Sequence, residues 1–155
     1  MRHHIYSIFL DEKKKYVLGL YICKTNKRYD AIRVGEWGFP EMPPGTVSQG
    51  CFQGTKITCR RKTKGAVIVG WIALNIPPIR SAAELASVVA HECAHAVAHY
   101  MRKIRKWKLL THPGWMGDSK FELTNPEKIP EELFAYSLGR CVDQITRALK
   151  QDAKK

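Results

Sequence analysis

The sequence predicts an α+β fold, a small and mostly antiparallel sheet packed on two helices, and three observations predict it. The chain has 155 residues, 45% of them apolar, which suits one globular domain with one core. Before Pro77-Pro78 the apolar residues come in short runs separated by charged or Gly/Pro-rich turns, the pattern of strands. After it they recur at helical spacing in two long runs. Residues 1–150 are therefore expected to form the domain, with 1–78 mainly strands and a long Gly/Pro loop, 79–150 mainly helices, and 151–155 a frayed basic tail.

Each element has its own signal. Ile5–Phe9 and Tyr16–Cys23 flank the charged turn Asp11–Lys15 and read as a β-hairpin. Ala31–Val34 and Lys56–Arg60 are shorter strand candidates. Ala66–Leu74 is almost continuously apolar, as expected of a strand covered on both faces. Between Gly35 and Gly50 the chain is rich in Gly and Pro and carries Trp37 and Phe39. A loop of that length inside a compact domain is functional or mobile. Ser81 and Glu84 form an S-x-x-E capping box, and the run from Ala82 to about Ile104 contains neither Gly nor Pro, so a helix starts there. Pro130 suits the first position of a second helix. Its apolar residues Phe134, Leu138, Cys141 and Ile145, with Val142 and Leu149 beside them, form a core-facing stripe. An irregular connection, about 107–129, joins the two helices.

Composition bounds the function. Twenty-six Lys+Arg against fourteen Asp+Glu leave a net charge of +12, which favours a polyanionic neighbour such as nucleic acid or an acidic protein. No run of eighteen apolar residues exists, so no membrane partner is expected. Only six largely apolar residues, Ile5–Leu10, precede Asp11; that is too short for a signal-peptide core, and a cytoplasmic location is expected. Five cysteines, an odd number with no C-x-x-C pair, argue against a disulfide framework and against a zinc ribbon.

The string His91-Glu92-Cys93-Ala94-His95 carries the chemistry. Residues four apart lie one turn apart on one helix face, so His91 and His95 can both reach one metal ion. Imidazole is a good Zn2+ ligand, and two of them leave room for a third protein ligand and a water. Glu92, beside the first histidine, can take a proton from that water as general base. A third ligand must come from elsewhere. A histidine ten positions after the first is excluded, because that residue is Met101. His99 lies near the same face, but one helix is poorly placed to supply three ligands, so it reads as a supporting residue. Glu132, at the start of the second helix, is a candidate, although acidic residues such as Glu131 and Glu132 also favour a helix N-terminus through the dipole alone.

H-E-x-x-H followed by Glu132-Leu133-Phe134-Ala135-Tyr136 on a later helix resembles the gluzincin-type zinc metallopeptidases, and most closely small H-E-x-x-H proteins of bacteriophages and prophages. The resemblance covers roughly residues 66–149. It implies a minimal zincin-like fold, zinc held by His91, His95 and Glu132, Glu92 as catalytic base, a peptide or protein substrate, and the host cytoplasm for a phage-encoded chain. Many gluzincins carry Asp where this chain has Tyr136, and the connection from His95 to Glu132 is longer than is common in the phage proteins. That connection contains His112, in Thr111-His112-Pro113-Gly114, which faintly resembles the third histidine of SprT-like DNA-associated proteases. His112 and Tyr136 are also candidate donors to a developing oxyanion.

Basic residues cluster twice. Arg102, Lys103, Arg105, Lys106 and Lys108 crowd seven positions around Trp107, and Arg60, Arg61, Lys62 and Lys64 precede Ala66. Both could meet a phosphate backbone, although cations also suit a helix C-terminus. Two readings other than a peptidase follow: a basic nucleic-acid-associated or host-interaction protein, and a non-catalytic module in which zinc staples two helices.

Overall fold

The structure is a computed structural model that describes residues 5–55, 62, 63, 65–103 and 130–154. A five-stranded mixed sheet carries helices on both faces. The strands are β1 (Ile5–Phe9), β2 (Tyr16–Cys23), β3 (Gly50–Gly54), the two-residue β4 (Lys62–Thr63) and β5 (Ala66–Asn75), in the order β1-β2-β5-β3 with β4 also on β5. The helices are α1 (Asn26–Asp30), running straight into a π-helical turn (Ala31–Glu36), α2 (Ala82–Lys103) and α3 (Pro130–Asp152).

The expected hairpin forms. Tyr6 faces Leu20 and Ile8 faces Leu18 across β1 and β2. The turn is closed by Asp11, whose carboxylate accepts from Tyr16 N at 2.9 Å, and by Lys14 in the left-handed region at φ 52°. The sheet departs from expectation at its centre. β2 and β5 run parallel, whereas β1, β3 and β4 pair antiparallel with their neighbours. A parallel pair needs a crossover, and here the chain between the two strands supplies α1, the π turn, β3 and β4.

Three other expectations need correction or fall elsewhere. Ala31–Val34 is not a strand but part of the π turn, where Trp37 N bonds Ile32 O at 3.0 Å. Thr25 starts the helical segment by accepting from Arg28 N, and the apolar signal is satisfied by packing, since Ile32 is fully buried against Cys23, Tyr29 and Ala73. β3 has no counterpart among the expected strands, because its terminal glycines look like loop. The candidate strand Lys56–Arg60 lies outside the described residues. α2 and α3 begin where their caps predict, with Ser81 Oγ accepting from Glu84 N at 3.1 Å.

Alternation along the strands sorts the two faces. Leu18, Leu20, Ile72 and Leu74 point at α2 and α3 and form the main core with Val97, Met101, Cys141 and Ile145. Burying side chains of this size contributes about 1.5–3 kcal/mol each. Tyr21, Cys23 and Ala73 face α1 and the π turn. The two outer edges differ. Gln144 of α3 caps β1 at both backbone groups of Phe9, accepting from its N at 2.9 Å and donating to its O at 2.8 Å. β3 has no strand on its outer side among the described residues.

β3 lies tight against α2. A Cβ on Gly54 would stand 2.5–2.8 Å from the His99 ring, and one on Gly50 would stand 2.9 Å from Glu92 Cγ and 3.0 Å from Val88 Cγ1. Only glycine allows that approach. Gly50→Ala and Gly54→Ala should each destabilise the protein by about 1–3 kcal/mol, the usual range for overpacking, as read from urea unfolding midpoints. Unchanged midpoints would mean that β3 can move away from α2 freely.

Candidate metal centre

α2 presents three different neighbours to three successive residues because each step turns about 100° around its axis. Glu92 is 5% exposed and points under the start of β3, close to Gly50. Cys93, one step on, is fully buried at the seam with α3, where its thiol meets that of Cys141. His91, one step back, lies on the exposed flank together with His95. The histidines thus occupy the side of α2 away from the Cys93–Cys141 seam.

The two imidazoles converge. Nε2 of His95 lies 3.1 Å from Nε2 of His91, and the rings stand nearly perpendicular at 82° with centroids 4.6 Å apart. Two nitrogens each bound to tetrahedral zinc at about 2.0–2.1 Å stand about 3.3–3.4 Å apart. The observed separation is within a few tenths of an ångström of that, so the pair fits a metal with small ring rotations. It equally serves as a neutral imidazole–imidazole hydrogen bond, one nitrogen donating and the other accepting.

Glu92 is the unusual group. Burial pushes its carboxyl above the ordinary glutamate range, and the nearby His91 opposes that shift. A cleft of about 300 Å³ lined by Gln49, Gly50, Ser87, Val88, His91 and Glu92 connects it to solvent. A carboxylate of raised basicity beside two convergent nitrogens, with a path for water, can accept and return a proton.

The other expected site residues are less closely placed. His99 faces β3 rather than the histidine pair, packing edge-on against Phe52 with centroids 5.5 Å apart. Tyr136 is on α3 and 59% exposed. Glu132 lies in the first turn of α3, but its side chain is outside the described residues, as is all of His112. Among the described residues no group of three or more His, Cys, Asp or Glu side chains converges on one point. Of the basic clusters, Arg102 is exposed and its Nε donates to Ala98 O at 3.4 Å. Arg105, Lys106 and Lys108 lie outside the described residues, as do Arg60, Arg61 and Lys64. No described helix is long and apolar enough to cross a membrane.

The raised carboxyl has a measurable consequence. A carboxyl with a higher pKa in the folded than in the unfolded state takes up a proton on folding. Its favourable contribution is complete below the unfolded value, about 4.3, and is lost as pH rises through the folded value. At pH 7 the raised carboxyl therefore lowers the stability of the metal-free fold relative to pH 4, a loss that Glu92→Gln removes. Metal-free Glu92→Gln should melt higher than wild type at pH 7, by about 2–4 °C for each kcal/mol gained, and the gap should close near pH 4. A lower melting temperature at pH 7 would show that the carboxylate is well solvated or paired.

No family model, curated protein or solved structure matches the chain.

Proposed function

We propose that the chain is a zinc-dependent peptidase, with Glu92 as general base and His91 and His95 as metal ligands. The observation that carries this reading is the convergence of two exposed imidazole nitrogens to 3.1 Å beside a buried carboxyl of raised pKa. A bound zinc ion supplies Lewis-acid polarisation of a carbonyl and a water of lowered pKa. Glu92 takes the proton of the attacking water on a carboxylate oxygen and passes it to the departing amine; burial raises the basicity of that carboxylate. The outer edge of β3 runs alongside α2 next to these residues. An extended peptide can add to that edge through main-chain hydrogen bonds, with little demand on sequence.

The burial of Glu92 also weighs against a purely structural zinc site. Holding two helices together requires ligands, and an additional buried carboxyl beside them only disfavours the metal-free fold. Glu132 is the proposed third ligand, because its backbone belongs to α3, and a helix orders a ligand at less entropic cost than the irregular segment expected from the Pro113-Gly114 sequence beside His112.

Chelator-treated protein reloaded with zinc should retain one zinc per chain by elemental analysis, and His91→Ala should lose it. Glu92→Gln should retain zinc and fold but lose hydrolysis of unstructured peptides by at least about 100-fold, as for removal of a general base. Zinc retention with equal rates in Glu92→Gln and wild type would remove Glu92 from the chemistry. For the third ligand, Glu132→Gln should weaken zinc binding about 10-fold or more while His112→Ala leaves it nearly intact; losses of that size are usual even for outer partners of a metal. The reverse result would favour the SprT-like reading.

The net charge of +12 favours one further reading, an acidic or nucleic-acid partner. Neutralising four of Arg102, Lys103, Arg105, Lys106 and Lys108 should weaken binding to an oligonucleotide and flatten its dependence on salt. An unchanged salt slope would leave the cluster as a solvated helix end.

A further inference from the structure

The sheet face turned away from α2 and α3 is covered at one end. There α1 and the π turn close over Tyr21, Cys23 and Ala73, and Trp37 stands edge-on to Tyr21 with centroids 6.0 Å apart. Nearer the β1–β2 turn the same face carries Phe9 and Trp71. Both are partly exposed, and they pack in neither of the two apolar clusters of the described residues. Ile5, at the border of the covered end, is 50% exposed. Neighbouring apolar side chains left open on a sheet mark an interaction site.

One register row crosses the middle of that face. Ser7 pairs with Gly19, Gly19 with Trp71, and Trp71 with Gln53, so the row runs over β1, β2, β5 and β3. Gly19 seats the indole, since a Cβ there would stand 2.8 Å from Trp71 Nε1 and closer still to its Cδ1. With strands about 4.8 Å apart, the Gln53 amide lies one strand from Trp71 and the exposed Ser7 hydroxyl two. Gln53 Nε2 donates to Gly54 O at 3.4 Å, a long bond that a better-placed acceptor can replace. A flat ring stacked on Trp71 therefore meets donors and acceptors at its edges.

The turn beside this face sorts its charges. Lys14 Nζ stands over the Phe9 ring, 5.6 Å from its centroid, and Lys13 and Lys15 are exposed. The two acids of the turn are engaged within the chain. Asp11 accepts from Tyr16 N at 2.9 Å, and Glu12 accepts from Arg140 Nη2 at 3.3 Å, toward α3 on the other face. At the covered end Glu36 pairs with Arg28 at 3.8 Å. Cations beside an open aromatic face, on a chain of net charge +12, select an anionic partner over a neutral sugar. A single nucleic-acid strand has the matching parts, a flat face on every base and a phosphate on every nucleotide. In a duplex the base faces are stacked on one another and cannot reach Trp71.

We propose that the face centred on Trp71 binds single-stranded nucleic acid: a base stacks on the indole, and the Lys13–Lys15 turn takes the adjoining phosphates. This deepens the nucleic-acid reading of the net charge by giving it a surface and a strandedness. It needs neither zinc nor the Arg102–Lys108 cluster.

The test is fluorescence anisotropy of a labelled oligothymidylate of about twelve nucleotides, and of the matching duplex, titrated with the full chain at several salt concentrations. The single strand is expected to bind at least about tenfold tighter than the duplex. Trp71→Ala should weaken the single strand about tenfold or more, Trp71→Phe less because it keeps a ring, and neither should change duplex binding. Ser7→Glu places a like charge beside the phosphates at an exposed position and should weaken the single strand several-fold. Lys14→Asn suits the φ of 52° and should lower the salt slope by about 0.7, one phosphate contact. These two variants decide the matter if Trp71→Ala does not fold. Neutralising four cations of the Arg102–Lys108 cluster should leave the preference for single strands intact, which separates failure of that cluster from failure of this face. The proposal is overturned by wild type that does not bind the single strand or binds the duplex equally well. It is also overturned by unchanged affinity in folded Trp71→Ala, or in both Ser7→Glu and Lys14→Asn. Trp71-dependent binding of a neutral oligosaccharide in place of the oligonucleotide would assign the face to sugars and overturn it as well.

Discussion

The contact on which the rest of the structure depends is the approach of β3 to α2 across two glycines. With no Cβ at Gly50 and Gly54, the strand backbone rests directly on Glu92, Val88 and His99. That closeness encloses the Glu92 carboxyl and forms one wall of the cleft that opens beside it. Among the described residues it also leaves β3 as an outer strand lying along the helix that carries the histidines. The opposite edge is not equivalent, because Gln144 occupies both backbone groups of Phe9 there and blunts pairing with another strand.

Helical phase then distributes the chemistry. The same step of about 100° that sends Glu92 under β3 sends Cys93 into the α3 seam and His91 to the exposed flank. One short stretch of α2 therefore contributes to the core, to a shielded proton acceptor and to a solvent-facing nitrogen pair. The arrangement carries a cost in stability, since the carboxyl is desolvated and only His91 acts to lower its pKa. A cation at the histidine pair would favour the charged form of Glu92, so metal binding and ionisation of the base would support one another.

What was legible in the sequence follows the range of the interactions involved. The hairpin, β5, α2 and α3 are specified by local periodicity and caps, and they appear within a residue or two of their expected bounds. The His91–Glu92–His95 constellation was legible for the same reason: helix geometry alone brings residues four apart together. β3 was not, because the glycines that let it pack on α2 are the residues that make a segment look like loop. Ala31–Val34 failed differently, since three apolar positions, Ala31, Ile32 and Val34, fit a strand as well as a buried turn, and tertiary packing around Ile32 decides. The parallel pairing of β2 with β5 depends on contacts about fifty residues apart in sequence, which no local pattern reports. Arg33 had no signal at all. One arginine among twenty-six basic residues becomes distinctive only once folding has buried it without a partner.

The Glu92 cleft and the cavity that Tyr29 and Arg33 line are separated by little more than the start of β3. Gln49 and Gly50 line the Glu92 cleft, whereas Ser48, two residues earlier, lines the Arg33 cavity and accepts or donates a 2.7 Å hydrogen bond with Tyr29. Cys51 lies between the two charges and registers both. Its thiol is pushed up to about 11, raised by burial and by Glu92 and lowered by a hydrogen bond with Tyr29 and by Arg33. Gly50 is what permits that proximity, since any side chain there would separate β3 from α2 and move Glu92 away from Cys51 and Tyr29.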